Sequence, residues 1–190
     1  GTYIDVSMLD CQIAILENAI ARYLSKNEIP KPMGSRHPSI APFEAFKTKD
    51  SHIIIAAGND KLFENLCNFL KIPEISKDTK FFTNSKRSEN MDELKIILEN
   101  KLKEKKTSEW VKGMEELKIP CGPIFNIKEA VENPQIKERN MIVKSFHKVV
   151  GEFRTAGNPI KMSSYNDAST RGDIPDLDEH RKKILEEFNN

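Results

Sequence analysis

The sequence predicts an α+β fold, a small mixed domain of β-hairpins and packed helices flanked by extended linkers and terminal helices. Three observations support this prediction. Residues 43–57 first alternate and then run apolar, as two paired strands would, and residues 60–117 carry apolar side chains at helical spacing. Residues 29–42 are rich in proline, which predicts an extended linker. The two terminal stretches look like arms that reach for a partner.

The N-terminal helix is predicted to run from Ser7 to about Lys26, after an alternating, strand-like segment at Tyr3–Val6. Ser7, with Asp10 three residues on, resembles a capping box. Apolar or small residues cover nearly all faces of this helix, which predicts burial on every side. Little in the rest of the chain could surround it. Its packing partner is therefore expected to be another chain or a domain that precedes Gly1.

The first hairpin has the clearest sequence pattern among the predicted elements. Phe43–Phe46 alternates apolar and polar residues, residues 47–51 form a polar turn, and Ile53–Ala57 is a run typical of a strand buried on both faces. The segment Gly58-Asn59-Asp60 then ends the strand and opens a helix, and either of its last two residues can cap that helix. Ligands also bind where a glycine joins a strand to a helix N-terminus. From the residues alone, a simple cap is the favoured interpretation.

The later elements follow from the same periodicities. A helix ends at Ile72-Pro73, the aromatic pair Phe81-Phe82 anchors a loop, and a long helix follows that loop. Thr107 is predicted to cap the next helix, which carries the lone Trp110 towards the core. The chain is completed by two short helices, a second hairpin over about 141–155, a polar tail without regular structure, and a helix from Asp178 to Phe188.

Composition excludes several classes of protein. Of 190 residues, 31% are charged and 38% are hydrophobic, and the formal net charge is +1, which is typical of a globular protein with a well-charged surface. No basic stripe stands out beyond the mixed run Lys101–Lys106, so no nucleic-acid partner is predicted. The apolar stretches are too short for a membrane span, and no signal peptide is visible. A cytoplasmic protein without a membrane partner is expected.

The residues alone indicate no catalytic centre and no metal site. No glycine-rich phosphate loop, HExxH, CxxC or GxSxG motif is present in the sequence. The three cysteines are widely spaced and odd in number, so Cys11, Cys67 and Cys121 are interpreted as reduced thiols. A reactive thiol at Cys121 is the less favoured alternative, because no nearby basic residue is expected to lower its pKa. All four histidines are expected at the surface: His37, which lies in the proline linker, His52, His147 and His180.

Several segments resemble motifs of the family III CoA-transferases, in order and at the expected spacings along the whole chain. Gly1–Asp10 resembles the family's GQ-x-V-D-V-S-L-x-D segment, and Gly34–Phe43 resembles its GN-x-H-P-x-x-A-P-Y segment. The other matches are F-x-T-x-D-G at Phe46–Asp50, A-G-N-D at Ala57–Asp60, two later landmarks at Ile119–Ile124 and Asn133–Gln135, and the terminal P-x-L-G-E-H-T at Pro175–His180.

The resemblance implies that the chain is the C-terminal part of such an enzyme. In the family, a Rossmann-like first half binds most of the CoA and carries an aspartate nucleophile, which forms an aspartyl-CoA intermediate. This chain begins after that aspartate and is expected to be inactive alone, and Asp5 and Asp10 are interpreted as helix-start residues. The expected substrates are an acyl-CoA and a carboxylic acid, so coenzyme A enters as a thioester substrate and no tightly bound cofactor is expected. Family members form interlocked homodimers, so the expected partner is a second copy or the missing N-terminal half.

The resemblance also suggests domain boundaries and a site. The expected segments are 1–28 as the end of the large domain, 29–42 as a linker, 43–125 as the small α+β domain, 126–160 as a return linker with a hairpin, and 161–190 as a tail and helix that return to the large domain. The small domain would close over the acyl group and the CoA tail. The expected substrate-binding residues are Gly34, Ser35, His37 and Ser39 in one loop, and Asn59 and Asp60 in the turn after the hairpin.

Departures from the family pattern leave alternatives open. Asp50-Ser51 replaces a D-G turn, Asp178 and Arg181 replace a glycine and a threonine of the terminal motif, and the glycine loop of formyl-CoA transferase is absent. An acidic residue near Asp60 contributes to the active site in the racemase branch, whereas a plain helix cap is the favoured role here. The alternatives are a non-catalytic remnant or dimerisation module of a split CoA-transferase, and an isomerase of the α-methylacyl-CoA racemase type.

Overall fold

The computed structural model describes residues 2–188 and has the predicted α+β architecture, in two compact units that divide after Ile124. Gly1, the first residue of the N-terminal motif, lies outside the described residues. The first unit holds α1 (Met8–Ile15), α2 (Glu17–Lys26), β1 (Phe43–Lys47), β2 (His52–Ala56), α3 (Asp60–Phe69), a 3-10 helix (Pro73–Lys77), α4 (Asn84–Glu89), α5 (Met91–Leu102), α6 (Thr107–Glu116) and β3 (Cys121–Pro123). The second holds α7 (Ile127–Glu132), α8 (Pro134–Glu138), β4 (Ile142–His147), β5 (Gly151–Ala156) and α9 (Arg181–Phe188).

The sheet of the first unit confirms the predicted hairpin and adds a third strand. β2 lies between β1 and β3 and pairs antiparallel with both, and Ile55 is opposite Glu44 on one side and Cys121 on the other. The short segment Cys121–Pro123 is therefore an edge strand of this sheet. Ile53 and Ile55 are fully buried, whereas Ile54 is half-buried. The expectation of burial on both faces was wrong because the core lies against one face of the sheet.

The core of the first unit is formed where α3, α5 and α6 bring their apolar faces together with that face of the sheet. Trp110 is buried, as predicted, and its indole N–H donates to the carbonyl oxygen of Leu102 at 2.7 Å. The largest fully buried apolar side chains are Phe46, Phe63, Phe81, Ile53, Ile55, Leu66, Leu94, Leu98, Leu102, Met114 and Ile119. Burying side chains of this size stabilises a fold by about 1.5–3 kcal/mol each before entropy is counted.

The N-terminal arm differs from its prediction. It contains two helices rather than one, because the chain leaves helical geometry at Leu16, whose φ is −89° and ψ is 16°. Ser7 caps α1 by accepting from the backbone N–H of Asp10 at 3.4 Å, as expected. Tyr3–Val6 forms no strand. No side chain of α1 or α2 is buried, and most of their apolar residues are exposed, although Ile20 is half-buried.

Three local predictions in the helical region were also wrong. The long helix is divided at Asn90 into α4 and α5. Lys106, not Thr107, is the N-cap of α6, because the Asp50 carboxylate reaches across to accept from the Thr107 backbone N–H at 2.9 Å. Of the aromatic pair, only Phe81 is an anchor, since Phe82 is half exposed.

The second unit is organised around the predicted β4–β5 hairpin, which pairs antiparallel from Ile142 opposite Ala156 to His147 opposite Gly151. The polar tail has no helix or strand before α9, but backbone hydrogen bonds attach it to β4. Lys144 donates its backbone N–H to Ser169 and accepts from Arg171, so the tail runs beside β4. Across residues 2–188, no helix combines the length and apolar character needed to cross a membrane.

Candidate functional site

The loop over residues 34–42 is held at its start by polar contacts with β1. Gly34 has a φ of +65°, a left-handed conformation that favours glycine. The Ser35 hydroxyl accepts from the backbone N–H of Ala45 at 3.1 Å. Both residues are exposed. Gly34 and Ser35 therefore shape the start of the loop.

Arg36, the next residue of the loop, belongs to a cluster of four charged side chains. Arg36 donates to Glu44 at 2.9 Å and to Asp92 at 2.7 Å, and Lys95 also contacts Glu44, which is only 3% exposed. The hydrogen bond from Arg36 lowers the pKa of Asp92, and the same bond raises the pKa of Arg36. A buried carboxylate needs such partners, because an unpaired charge is costly to desolvate. The arrangement ties the loop to β1 and α5.

His37 is half-buried, so the expectation that it is exposed was wrong. Its ring stacks on Phe43, with centroids 5.3 Å apart and planes 6° apart. Nδ1 accepts from the backbone N–H groups of Ser39 at 3.2 Å and Ile40 at 3.1 Å. In a neutral imidazole the other nitrogen then carries the hydrogen, which leaves Nε2–H as a donor. Of the other histidines, His52 and His180 are exposed as expected, whereas His147 is half-buried.

In the turn at residues 58–60, the helix cap and the ion pair belong to different residues. Asn59 is the N-cap of α3, and its Oδ1 accepts from the Leu62 backbone N–H at 2.7 Å. Asp60 is the first residue of the helix, and its carboxylate accepts from Arg87 at 2.8 Å. A plain cap is thus the role of Asn59, while Asp60 takes part in an ion pair whose other member is fully buried.

Two residues of α4, Asn84 and Arg87, hold these segments and were missed by the sequence reasoning. Asn84 contacts the backbone at Ser39 and Ala41, and Arg87 contacts the backbone at Ala41 and Gly58. A six-residue helix without apolar spacing gave no periodic signal. The only available signal was their shared face, since positions three apart on a helix are neighbours.

A groove of about 570 Å³ lies between the loop and the turn. Ile40 and Phe43 come from the loop and the start of β1, Asn59 and Asp60 come from the turn, and Asn84 comes from α4. A Cβ added at Gly58 would overlap the Cγ2 methyl of Ile40, so only glycine permits this close approach. The full lining is Ile40, Phe43, Ala56, Gly58, Asn59, Asp60, Leu62 and Asn84. Of the six expected site residues, the structure brings Asn59 and Asp60 into the groove, while Gly34, Ser35, His37 and Ser39 support its other wall from behind.

Thiol and metal chemistry have no support at this site. Burial raises the pKa of Cys67 to about 12, and burial also raises the pKa of Cys121. Both shifts disfavour the reactive thiolate, so an inert Cys121 is the better interpretation. Within the described range 2–188, no three His, Cys, Asp or Glu side chains are arranged to hold a metal ion.

Comparison with known proteins establishes the family. The model for CoA-transferase family III matches residues 1–181. The chain is 37% identical over 188 residues to an acetyl-CoA:oxalate CoA-transferase of Acetobacter aceti, with 99% of this chain and 47% of the relative covered. It is 35% identical over 187 residues to a succinyl-CoA:glutarate CoA-transferase of Homo sapiens, with 98% and 42% covered.

A solved structure agrees with these relatives. The chain superposes on the crystal structure of a CAIB/BAIF family protein from Brucella suis with a TM-score of 0.75 and 34% identity, covering 98% of this chain and 48% of that one. The chain therefore belongs to CoA-transferase family III, which confirms the resemblance of its motifs. It spans about half the length of the curated relatives that it matches.

Proposed function

We propose that this chain is the C-terminal part of a CoA-transferase that moves CoA from an acyl-CoA thioester to a carboxylic acid. One observation carries the proposal. Two of the segments that match family motifs, residues 34–43 and 57–60, are separated in the sequence by most of the β1–β2 hairpin, yet both contribute to the lining of one groove. A groove made from both motifs is the expected place for the ligand that the family shares.

The lining of the groove suits the uncharged part of an acyl-CoA. Ile40, Phe43 and Leu62 offer apolar surface for methylene groups, and Asn59 offers an amide that can hydrogen-bond to the amides of a pantetheine arm. Asp60, the ion-pair partner of Arg87, places a carboxyl group in this lining, so this wall does not favour the phosphates of CoA. We infer that the phosphates bind to another part of the intact enzyme.

The reaction we propose proceeds through an aspartyl-CoA intermediate. A carboxylate oxygen of an aspartate outside this chain attacks the thioester carbonyl and expels CoA as a thiolate, leaving a mixed anhydride. The thiolate attacks the aspartyl carbonyl and releases the donor acid, and the acceptor carboxylate then takes the CoA by the reverse steps. This chain binds and orients the acyl-CoA, and His37 supports the loop from behind by accepting from the backbone N–H groups of Ser39 and Ile40. The named relatives use oxalate or glutarate, so we propose a dicarboxylic acid as acceptor.

The exposed apolar surface of the N-terminal arm supports the view that the chain acts as part of a larger assembly. Tyr3 is 92% exposed and Met8 is 85% exposed, and Leu9 and Leu24 are also open to solvent. Apolar surface on this scale marks an interaction site. We propose that the large domain of the intact enzyme covers it, within a homodimer.

The test is a thioester-exchange assay on the product of the complete reading frame. Succinyl-CoA is incubated with a panel of mono- and dicarboxylic acids, and new acyl-CoA species are separated by chromatography. We expect a new dicarboxyl-CoA from the complete protein and none from the 190-residue chain alone. Turnover by the 190-residue chain would contradict the proposal that the nucleophilic aspartate lies outside this chain. Inversion of a 2-methylacyl-CoA without exchange would favour the isomerase alternative, and inactivity of the complete protein would favour the non-catalytic remnant.

A further inference from the structure

The short helix α4 contacts both walls of the groove through two side chains on one face. Thr83 caps this helix by accepting from the Lys86 backbone N–H, so the amide of Asn84 is not needed as a cap. Asn84 and Arg87 are three residues apart and therefore project from neighbouring positions. Both point their polar atoms at backbone groups of the loop and the turn.

Asn84 holds the loop on both sides of Ile40. Its Nδ2 donates to the carbonyl oxygen of Ser39 at 2.8 Å, and its Oδ1 accepts from the backbone N–H of Ala41 at 2.9 Å. The pair of bonds imitates the pairing that a neighbouring strand would give. The segment therefore has a fixed backbone without belonging to a sheet.

Arg87 joins the loop to the turn. Its Nε donates to the carbonyl oxygen of Ala41 at 2.7 Å, and its Nη2 donates to the carbonyl oxygen of Gly58 at 2.8 Å and to Asp60 Oδ1 at 2.8 Å. The side chain is 0% exposed and lies over the ring of Phe63, 4.6 Å from its centroid. A guanidinium suits this role, because its donors are fixed in one plane. Its burial requires that these acceptors stay in place.

We propose that Asn84 and Arg87 are positioning residues that hold the acyl-CoA groove in its binding conformation. The identity of the ligand rests on the proposed function, whereas the effect on the two walls does not. A loop and a turn that must order on binding lose affinity to conformational entropy. Side chains that order them beforehand remove that cost, as supporting contacts do around other binding sites.

The test uses the complete protein and begins with Asn84→Ala. Alanine is a good helix former and Thr83 still caps α4, so the helix is retained. The variant removes the partner of the Ala41 N–H. We expect hydrogen–deuterium exchange in a peptide covering residues 39–43 to become about tenfold faster, which is the effect of losing one hydrogen bond. We also expect the KM for succinyl-CoA to rise severalfold while kcat changes by less than about twofold.

Two further variants separate positioning from general stability. Asn84→Asp keeps the Oδ1 acceptor for Ala41 but loses the Nδ2 donor to Ser39, so it should slow exchange at Ala41 relative to Asn84→Ala. Lys86→Ala removes an exposed side chain of the same helix that pairs only with Glu89 among the described residues, and should change neither readout. Arg87→Lys keeps a charge for Asp60 but loses the planar fork, so the peptides covering residues 39–43 and 58–62 should both exchange faster.

Each outcome decides the proposal. Unchanged exchange in Asn84→Ala overturns it, and so does faster exchange with an unchanged KM, because the contact would then be structural only. Faster exchange with a raised KM, together with slower exchange at Ala41 in Asn84→Asp than in Asn84→Ala, supports it. If the complete protein transfers no CoA, the proposed function fails, while the exchange rates still decide whether α4 holds the two walls.

Discussion

Replacing Arg87 by methionine is the sharpest test of how the first unit is held together. The guanidinium donates to the carbonyl oxygens of Ala41, Gly58 and Phe81 and to the carboxylate of Asp60, at 2.7–2.9 Å. Methionine has a similar length and can still pack on Phe63, so the variant removes the donors with little loss of volume. All four acceptors then lose a partner, and at the buried residues Ala41 and Phe81 water cannot easily replace it.

The expected loss follows from burial. Ala41 and Phe81 are 3% and 1% exposed, so their carbonyls lose donors inside the protein. Each such group costs about 1–3 kcal/mol when left without a partner. Two groups give about 2–6 kcal/mol, and exposed Asp60 adds little, because water can solvate its carboxylate. We therefore expect Arg87→Met to lower the free energy of unfolding by about 4 kcal/mol.

Urea unfolding followed by the fluorescence of Trp110, the only tryptophan of the chain, measures this loss, because Trp110 lies in the core of the same unit. Lys86→Met is the matched control. It introduces the same residue on an exposed face of the same helix and should change the free energy of unfolding by less than about 0.5 kcal/mol. If Arg87→Met costs less than about 1 kcal/mol, the reasoning from buried hydrogen bonds is refuted.

Three further predictions concern separate parts of the first unit. Buried Cys67, whose pKa is raised to about 12, should resist alkylation at pH 8 while exposed Cys11 reacts, as peptide mass spectrometry would record. Hydrogen bonding from the start of α6 lowers the pKa of Asp50 below 3.8, so its stabilisation should be present above pH 3.8 and be lost as the pH falls through the lowered pKa. Asp50→Asn should therefore be less stable than the parent at pH 7, with a gap that narrows towards pH 3. Gly58→Ala should force Ile40 aside and lower the melting temperature, and adding Ile40→Ala should recover part of the loss.

Each of these has a contradicting result. Equal alkylation of the two cysteines in the native protein would show that the burial of Cys67 is not maintained in solution. A stability gap for Asp50→Asn that is constant with pH would mean that the carboxylate has no special role at the start of α6. A double variant at positions 40 and 58 that is no more stable than Gly58→Ala would exclude overlap with Ile40 as the cause.

The sequence predicted the elements whose patterns are long and regular. The hairpin of β1 and β2 follows from alternation and from a β-branched run, and α5 follows from apolar residues at helical spacing. The division at Asn90 was not predicted, because residues 84–89 are all polar. They carry no apolar spacing from which a separate helix could be recognised. The partial cover of Ile54 was not predictable either, since a run of isoleucines gives no indication of which face meets the core.

The loop and the turn of the candidate site were predicted from the sequence, but their meeting at one groove was not. The family motifs marked the loop and the turn, and the structure adds that they face each other across a groove. Asn84 and Arg87 were not predicted, because polar and charged residues in a short polar helix are expected at the surface. Arg87 is instead fully buried, since its acceptors come from segments distant in sequence. Such contacts depend on tertiary structure and leave no periodic pattern.

The most direct test of the central claim is hydrogen–deuterium exchange of the complete protein with and without succinyl-CoA. If the groove is a wall of the acyl-CoA site, the peptides covering residues 39–43 and 58–62 will exchange more slowly with the thioester present. The exposed residues 103–106, which lie outside the groove lining, will not change. Protection confined to other regions, with both groove peptides unchanged, would contradict the account.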